Sequence, residues 1–146
     1  MKSRARLVAV ILCVLMANFW LLSCSEKKEG KVMVTEKAFL TEKDGNYTLS
    51  LNVEGKIKNV GDVDVKNIVV TGDCKTCDER MISGQWFVTL AEKTPEQKAT
   101  IPYLAAGTVA EFQFKDIAFY YTKSGEQPQA NPEGLEVVIE SFETVE

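Results

Sequence analysis

From Tyr47 onward the chain alternates. In YTLSLNVEGKIKN the apolar residues Tyr47, Leu49, Leu51, Val53 and Ile57 share one parity with Gly55, while Thr48, Ser50, Asn52, Glu54, Lys56 and Lys58 fill the other. A period of two marks a strand with one dry face and one wet face. A helix would throw Leu49 and Leu51 onto different faces. Asn59-Val60-Gly61-Asp62 then supplies turn residues, with Gly61 free to take positive φ. A second strand follows in VDVKNIVVTG. Val63 and Val65 are odd, Ile68 and Val70 are even, and the switch at Lys66-Asn67 predicts a β-bulge.

Further runs of the same kind surround this hairpin. KVMVTEKAFL (Lys31 to Leu40) precedes it and ends at the turn EKDGN; QWFVTL (Gln85 to Leu90), VAEFQFKDIAFYY (Val109 to Tyr121) and LEVVIESFETV (Leu135 to Val145) follow. Within Val109 to Tyr121, Phe112 and Phe114 share a face, and the parity then changes to Ile117 and Phe119. Six or seven short strands separated by turns predict an all-β, antiparallel sandwich. Thr94-Pro95-Glu96-Gln97 has the pattern of a capping box with Pro at the first helical position. Pro102 ends it within two turns, so it predicts only a turn between strands.

LNVEGKIKNVGDVDVKNIVVT resembles a motif of bacterial FxLYD-type and related immunoglobulin-like domains, carried by Gly55, Ile57, Asn59, Gly61, Asp62, Val65, Asn67, Ile68 and Val70. LAAGTVAEFQF (Leu104 to Phe114) fits the small-Gly-small turn such domains place before a late strand. The resemblance implies an immunoglobulin-like sandwich of about seven strands over residues 32–146.

The N-terminus reads differently. Lys2, Arg4 and Arg6 precede an apolar run from Leu7 to Leu22 that only Asn18 interrupts. A basic start, an apolar stretch and a small residue describe a secretory signal. Leu21-Leu22-Ser23-Cys24 resembles the bacterial lipobox. That resemblance implies a lipoprotein signal peptide over 1–23, a diacylglyceryl group on the Cys24 sulfur and an acyl chain of the palmitate kind on the new amino terminus. Several chains matter, because one alone gives only marginal membrane binding. The competing reading is an uncleaved signal-anchor. SEKKEGK (Ser25 to Lys31) is polar and charged, and completes a lipidated tether over 24–31 with no fixed structure. Ser25, where Asp often retains lipoproteins at the inner membrane, favours the periplasmic face of the outer membrane in a Gram-negative host.

Charge narrows the partners. The chain holds 17 Lys+Arg and 21 Asp+Glu, a net of −4. Removal of the three positive signal-peptide residues lowers the net to −7. A domain this acidic, without a basic stripe, excludes nucleic acid.

Cys74 and Cys77 stand three apart in a chain without histidine. The lack of histidine excludes Ser-His-Asp and Cys-His catalysis. It also excludes c-type haem, since Asp78 follows Cys77 where a histidine must stand. A zinc site needs four ligands. With Cys13 lost and Cys24 acylated, only two thiolates remain, so no metal site is expected, although linear Cu(I) binding stays open. A redox pair would sit at a helix N-terminus, and DERMISGQW has no helical period. Asp73, Asp78 and Glu79 would also raise the thiol pKa. An oxidising compartment with two unmodified cysteines favours a Cys74–Cys77 disulfide, worth about 2 kcal/mol for so small a loop.

These observations lead to a non-catalytic binding or assembly protein of the cell envelope, held to a membrane through Cys24 and meeting a protein partner, with no cofactor. Phe119-Tyr120-Tyr121 could stack on a sugar or peptide ring, with Tyr120 and Tyr121 the candidate partner contacts; the competing reading is one core residue flanked by rim residues. GEQPQANPEG (Gly125 to Gly134) forms a loop between the last two strands. The alternative is an extracytoplasmic thiol protein, redox or soft-metal handling, that acts through Cys74 and Cys77.

Overall fold

The computed structural model describes residues 28–75, 86–88 and 92–145; Cys24, Cys77 and the stretch expected to be a signal peptide (1–23) lie outside them. The strands are β1 (Val32–Asp44), β2 (Thr48–Asn59), β3 (Val65–Cys74), β4 (Trp86–Phe87), β5 (Lys98–Leu104), β6 (Val109–Tyr121) and β7 (Leu135–Thr144). They form two antiparallel sheets, ordered β1-β2-β6-β4 and β5-β3-β7. The fold is an antiparallel sandwich of the immunoglobulin-like kind, in which β2 pairs with β6 in one layer and β3 with β7 in the other.

The inner faces interdigitate around Leu51, Ile57, Val65, Ile68, Val70 and Ala118, all fully buried. Removing each large aliphatic side chain from water stabilises the fold by about 1.5–3 kcal/mol. Leu49, Leu51, Val53 and Ile57 are buried as their parity requires, but Tyr47 is not. It sits in the β1–β2 turn and is 56 % exposed, because the alternation begins only where β2 begins.

Two bulges break the alternation. Asn67 has φ 51, and the β3–β7 register shifts between Lys66 and Val69, so Val65 and Ile68 both point inward. In β6, the four steps from Phe114 to Ala118 face the two steps from Val53 to Leu51. Asp116 takes φ 58 inside this bulge and Ile117 is buried there. The expected change of parity is therefore incomplete. Ala118 and Tyr120 pair with Leu51 and Leu49 on the inner face, while Phe119 pairs with Ser50 and turns outward.

β5 has no counterpart among the expected strands. Pro102 marks a break in the sequence, yet it lies in an edge strand that hydrogen-bonds only to β3. The register places Pro102 opposite Asn67, between the pairs Lys66–Tyr103 and Ile68–Ile101. A missing N–H costs little on an edge strand, where proline is tolerated. Pro95–Gln97 forms the expected single turn, a 3-10 turn in which the Gln97 side chain accepts the Thr94 N–H at 3.0 Å.

Asn59 also departs from expectation. It is the last residue of β2 rather than an exposed turn residue, and it is fully buried. Its Nδ2 donates to the carbonyls of Val63 (2.8 Å) and Leu104 (3.1 Å), and its Oδ1 accepts the Gly61 N–H (3.0 Å). Its own N–H and carbonyl bond to Thr108 and Gly107. Every polar group of this side chain is satisfied, which is what permits its burial.

The expectation of an unstructured tether fails over its last residues. Val60 donates to Lys31 O at 2.7 Å and Asp62 to Glu29 O at 3.1 Å. Gly30 and Gly61 allow this close approach. A Cβ on Gly61 would stand 2.3 Å from Glu29 O, and one on Gly30 would stand 2.7 Å from a Val65 methyl. A polar composition predicts disorder only when the backbone lacks a neighbour, and here the 59–62 segment supplies one.

Candidate functional site

The strands give the sandwich two poles. At one, the chain arrives through Lys28–Lys31 beside Asn59, Val65 and Thr144. At the other, the start of β2, the end of β3, the end of β6 and the start of β7 lie together. The twelve residues of β2 separate the poles by roughly 40 Å at the ordinary strand rise. Cys74, Tyr120 and Tyr121, singled out from the sequence, all fall at this second pole, far from the N-terminal segment.

β6 positions the aromatic side chains there. Tyr120 points into the sandwich and meets Trp86 of β4 edge to face, ring centres 5.1 Å apart and planes at 62°. The Trp86 indole N–H donates to Ala130 O at 3.1 Å, so a buried ring also anchors the β6–β7 loop. On the outer face Phe87 pairs with Phe119, and Tyr121 stands two residues further along the same strand. Phe87 is 42 % and Tyr121 41 % exposed. With Phe119 between them they form an aromatic strip on the outer face at this pole, while Tyr47, whose carbonyl accepts the Thr122 N–H at 2.7 Å, stands exposed in the adjoining β1–β2 turn. Phe87 and Tyr47 are the residues that sequence reasoning missed as surface features. Their aromatic type was legible, but their exposure depends on Phe87 facing outward opposite Phe119 and on the placement of the β1–β2 turn.

A shallow hollow of about 340 Å³ opens beside the strip, lined by Tyr120, Tyr121, Thr122, Lys123, Ser124 and Glu126. It offers an aromatic ring edge, hydroxyls and one charge of each sign. Such a surface takes a planar or extended group by stacking, with hydrogen bonds at its rim. A larger hollow, about 490 Å³, lies on the outer face of the four-stranded sheet around Gly55. Its walls are Glu36, Lys56, Glu54 and Glu111, and Lys56 is already bonded to Glu36 at 2.8 Å. That pairing, helped by Glu111, raises the Lys56 pKa. Solvated charges that satisfy each other are a weaker recognition surface than exposed aromatic rings.

The cysteine lies at the same pole. Cys74 closes β3, is nearly buried, and its Sγ stands 3.7 Å from Glu133 O. The next residue, Lys75, donates its N–H to Gly134 O and its ammonium to Glu136 at 2.6 Å. The pairing with Glu136 raises the Lys75 pKa, and the same contact lowers that of Glu136. The β6–β7 loop is thus fastened at Ala130 by Trp86 and at Glu133–Gly134 by the end of β3.

No group of three or more His, Cys, Asp or Glu among the described residues could hold a metal ion. No described helix is long and apolar enough to cross a membrane. No protein-family model, curated protein or solved structure matches the chain.

Proposed function

We propose that this protein is a bacterial lipoprotein, acylated on Cys24, whose sandwich binds or assembles with another envelope protein without catalysis. The observation that carries this reading is the separation of the two poles. The chain comes from its apolar leader to one pole, and the aromatic strip occupies the other. A membrane holding the leader leaves Tyr121 and Phe87 at the far end of the sandwich, where a partner can reach them. In a Gram-negative host the periplasmic face of the outer membrane is the favoured site.

Cys74 and Cys77 form a disulfide in this reading. Supporting it, Cys74 sits at the nearly buried end of β3, three residues before Cys77. A bond there restrains the segment that leads from β3 toward β4, and so the platform that β4 contributes. Mass spectrometry under non-reducing conditions should find the two cysteines in one linked peptide; two free thiols refute the bond.

The main test has two parts. Cells fed an alkyne-bearing palmitate should label the wild-type chain and leave Cys24→Ala unlabelled; equal labelling of both overturns the anchor. Chemical crosslinking in intact envelopes, followed by capture of the chain, should recover a partner that Tyr121→Ala and Phe87→Ala lose. A partner retained undiminished by both variants overturns the assignment of the far pole.

A further inference from the structure

The outer face of the four-stranded sheet changes character along its length. At the N-terminal pole the register sets Met33, Lys58 and Val109 side by side across β1, β2 and β6. Directly paired residues share a face, so these three form one row. Beyond them Val60 bonds to Lys31, which continues the same pairing. Met33 is 48 %, Val60 41 % and Val109 52 % exposed. Three exposed apolar side chains with two lysines therefore sit together at the base of this face. The next row toward the far pole is Glu36, Lys56 and Glu111, where the acids begin. Glu29 and Asp62, bonded through their backbones, stand at the extreme edge and offset the two lysines.

We propose that this base rests on the surface of the bilayer that holds the chain. The inference deepens the anchored reading given above and depends on it. Its occupant is a lipid surface because of what precedes the patch. Residues 1–27 lead directly into Lys28, and they include the apolar run Leu7 to Leu22. The seven residues from Ser25 to Lys31 follow Cys24, a reach of at most about 25 Å. The last three of them are clamped against Val60 and Asp62, so only Ser25–Lys28 lie between the clamp and Cys24. A patch held this close to the headgroups meets them continually. Met33, Val60 and Val109 enter the apolar–polar boundary, and Lys31 and Lys58 extend to the headgroup level, as long cationic side chains do. Since Glu29 and Asp62 offset Lys31 and Lys58 and leave Lys28 in excess, the net charge at the base is small, and apolar insertion rather than anionic lipid drives the contact. Only this base row makes the contact, so the domain stands on it and the far pole, with Phe87 and Tyr121, is held off the surface.

The test uses the full chain, purified from its host and reconstituted into phosphatidylcholine vesicles with or without phosphatidylglycerol. Flotation first reports anchoring. A lysine-acylating reagent then reads exposure at Lys31 and Lys58, with Lys43 and Lys123 at the far pole as internal references. A docked state outweighing the undocked one tenfold slows acylation of Lys58 about tenfold relative to Met33→Glu/Val60→Glu/Val109→Glu in the same vesicles. Lys123 should react alike in both. The milder Met33→Ser/Val60→Ser/Val109→Ser serves if the charged variant fails to fold, and it should lift the protection as well. Similar protection with and without phosphatidylglycerol is expected. A chain that floats but shows Lys58 equally reactive in wild type and variant overturns this inference alone. A chain that does not float overturns it together with the anchored reading.

Discussion

Gln97 reaches from the 3-10 turn and donates its side-chain amide to the main-chain carbonyl of Asp116, 2.8 Å away. Asp116 is the left-handed residue of the β6 bulge, and its N–H donates to Asn52 Oδ1 at 3.1 Å. Two amide side chains from different elements therefore hold the bulge from both sides. Gln97 is buried, and Thr71 Oγ1 donates to its carbonyl at 2.7 Å, which ties the turn to β3. The bulge returns Tyr120 to the inner face, so this contact lies upstream of the aromatic pole.

Gln97→Met should therefore destabilise the domain by about 1–2 kcal/mol, since it strips partners from the half-buried Asp116 O and from the Thr94 N–H. Urea unfolding followed by fluorescence measures this. A midpoint within error of wild type would show that the bulge holds without its amide.

Two glycines with opposite surroundings separate steric need from conformational need. A Cβ on Gly55 would meet Glu36 O at 2.1 Å and a Phe112 ring carbon at 2.7 Å, whereas Gly107 has φ +78 and nothing within 4 Å. Gly55→Ala should cost about 3 kcal/mol or more through forced displacement of β1. Gly107→Ala should cost only about 1 kcal/mol, the strain of a left-handed alanine. Thermal unfolding of the two variants checks the order, and a reversal would mean that β1 yields freely.

At the far pole, stability and partner binding should separate. Trp86→Ala removes a buried ring and its bond to Ala130, at a cost of about 3–5 kcal/mol. Tyr121→Ala and Phe87→Ala change half-exposed rings and should shift stability by no more than about 1 kcal/mol, while partner capture falls. Thermal melts run beside the crosslinking experiment distinguish these outcomes.

The Lys75–Glu136 pair sets a pH window for the junction between β3 and the β6–β7 loop. Glu136 is held below its ordinary 4.5, so its share of the contact is present above that value and is lost as pH falls through the lowered pKa. Lys75 is held above 10.5, so its share is complete below that value and is lost as pH rises through the raised one. In Lys75→Met the Glu136 carboxyl should titrate closer to 4.5. Carbon-detected NMR titration reads the shift, and an unmoved midpoint would assign the lowering to other groups.

The fold class was legible from one property of the sequence. Alternation along Leu49–Ile57 and the turn chemistry at Gly61 act between neighbouring residues, so they name strands and turns without reference to the rest of the chain. The bulge at Asn67 was readable for the same reason, because a parity switch leaves a local trace. β5 was not, since Pro102 looks like a break until Asn67 is known to face it across the ladder.

What the sequence determined by itself is thus the kind of element and the side of each strand that must be dry, since both follow from backbone period and side-chain polarity. The tertiary structure alone decided which residues share a pole. Cys74, Trp86 and Tyr120 are far apart along the chain, and only the antiparallel return of β3, β4 and β6 brings them to one end. It also decided that Asn59 is buried and that Glu29–Lys31 is clamped. Both rest on hydrogen-bond partners supplied by segments distant in sequence, and a polar residue's place depends on whether such partners exist.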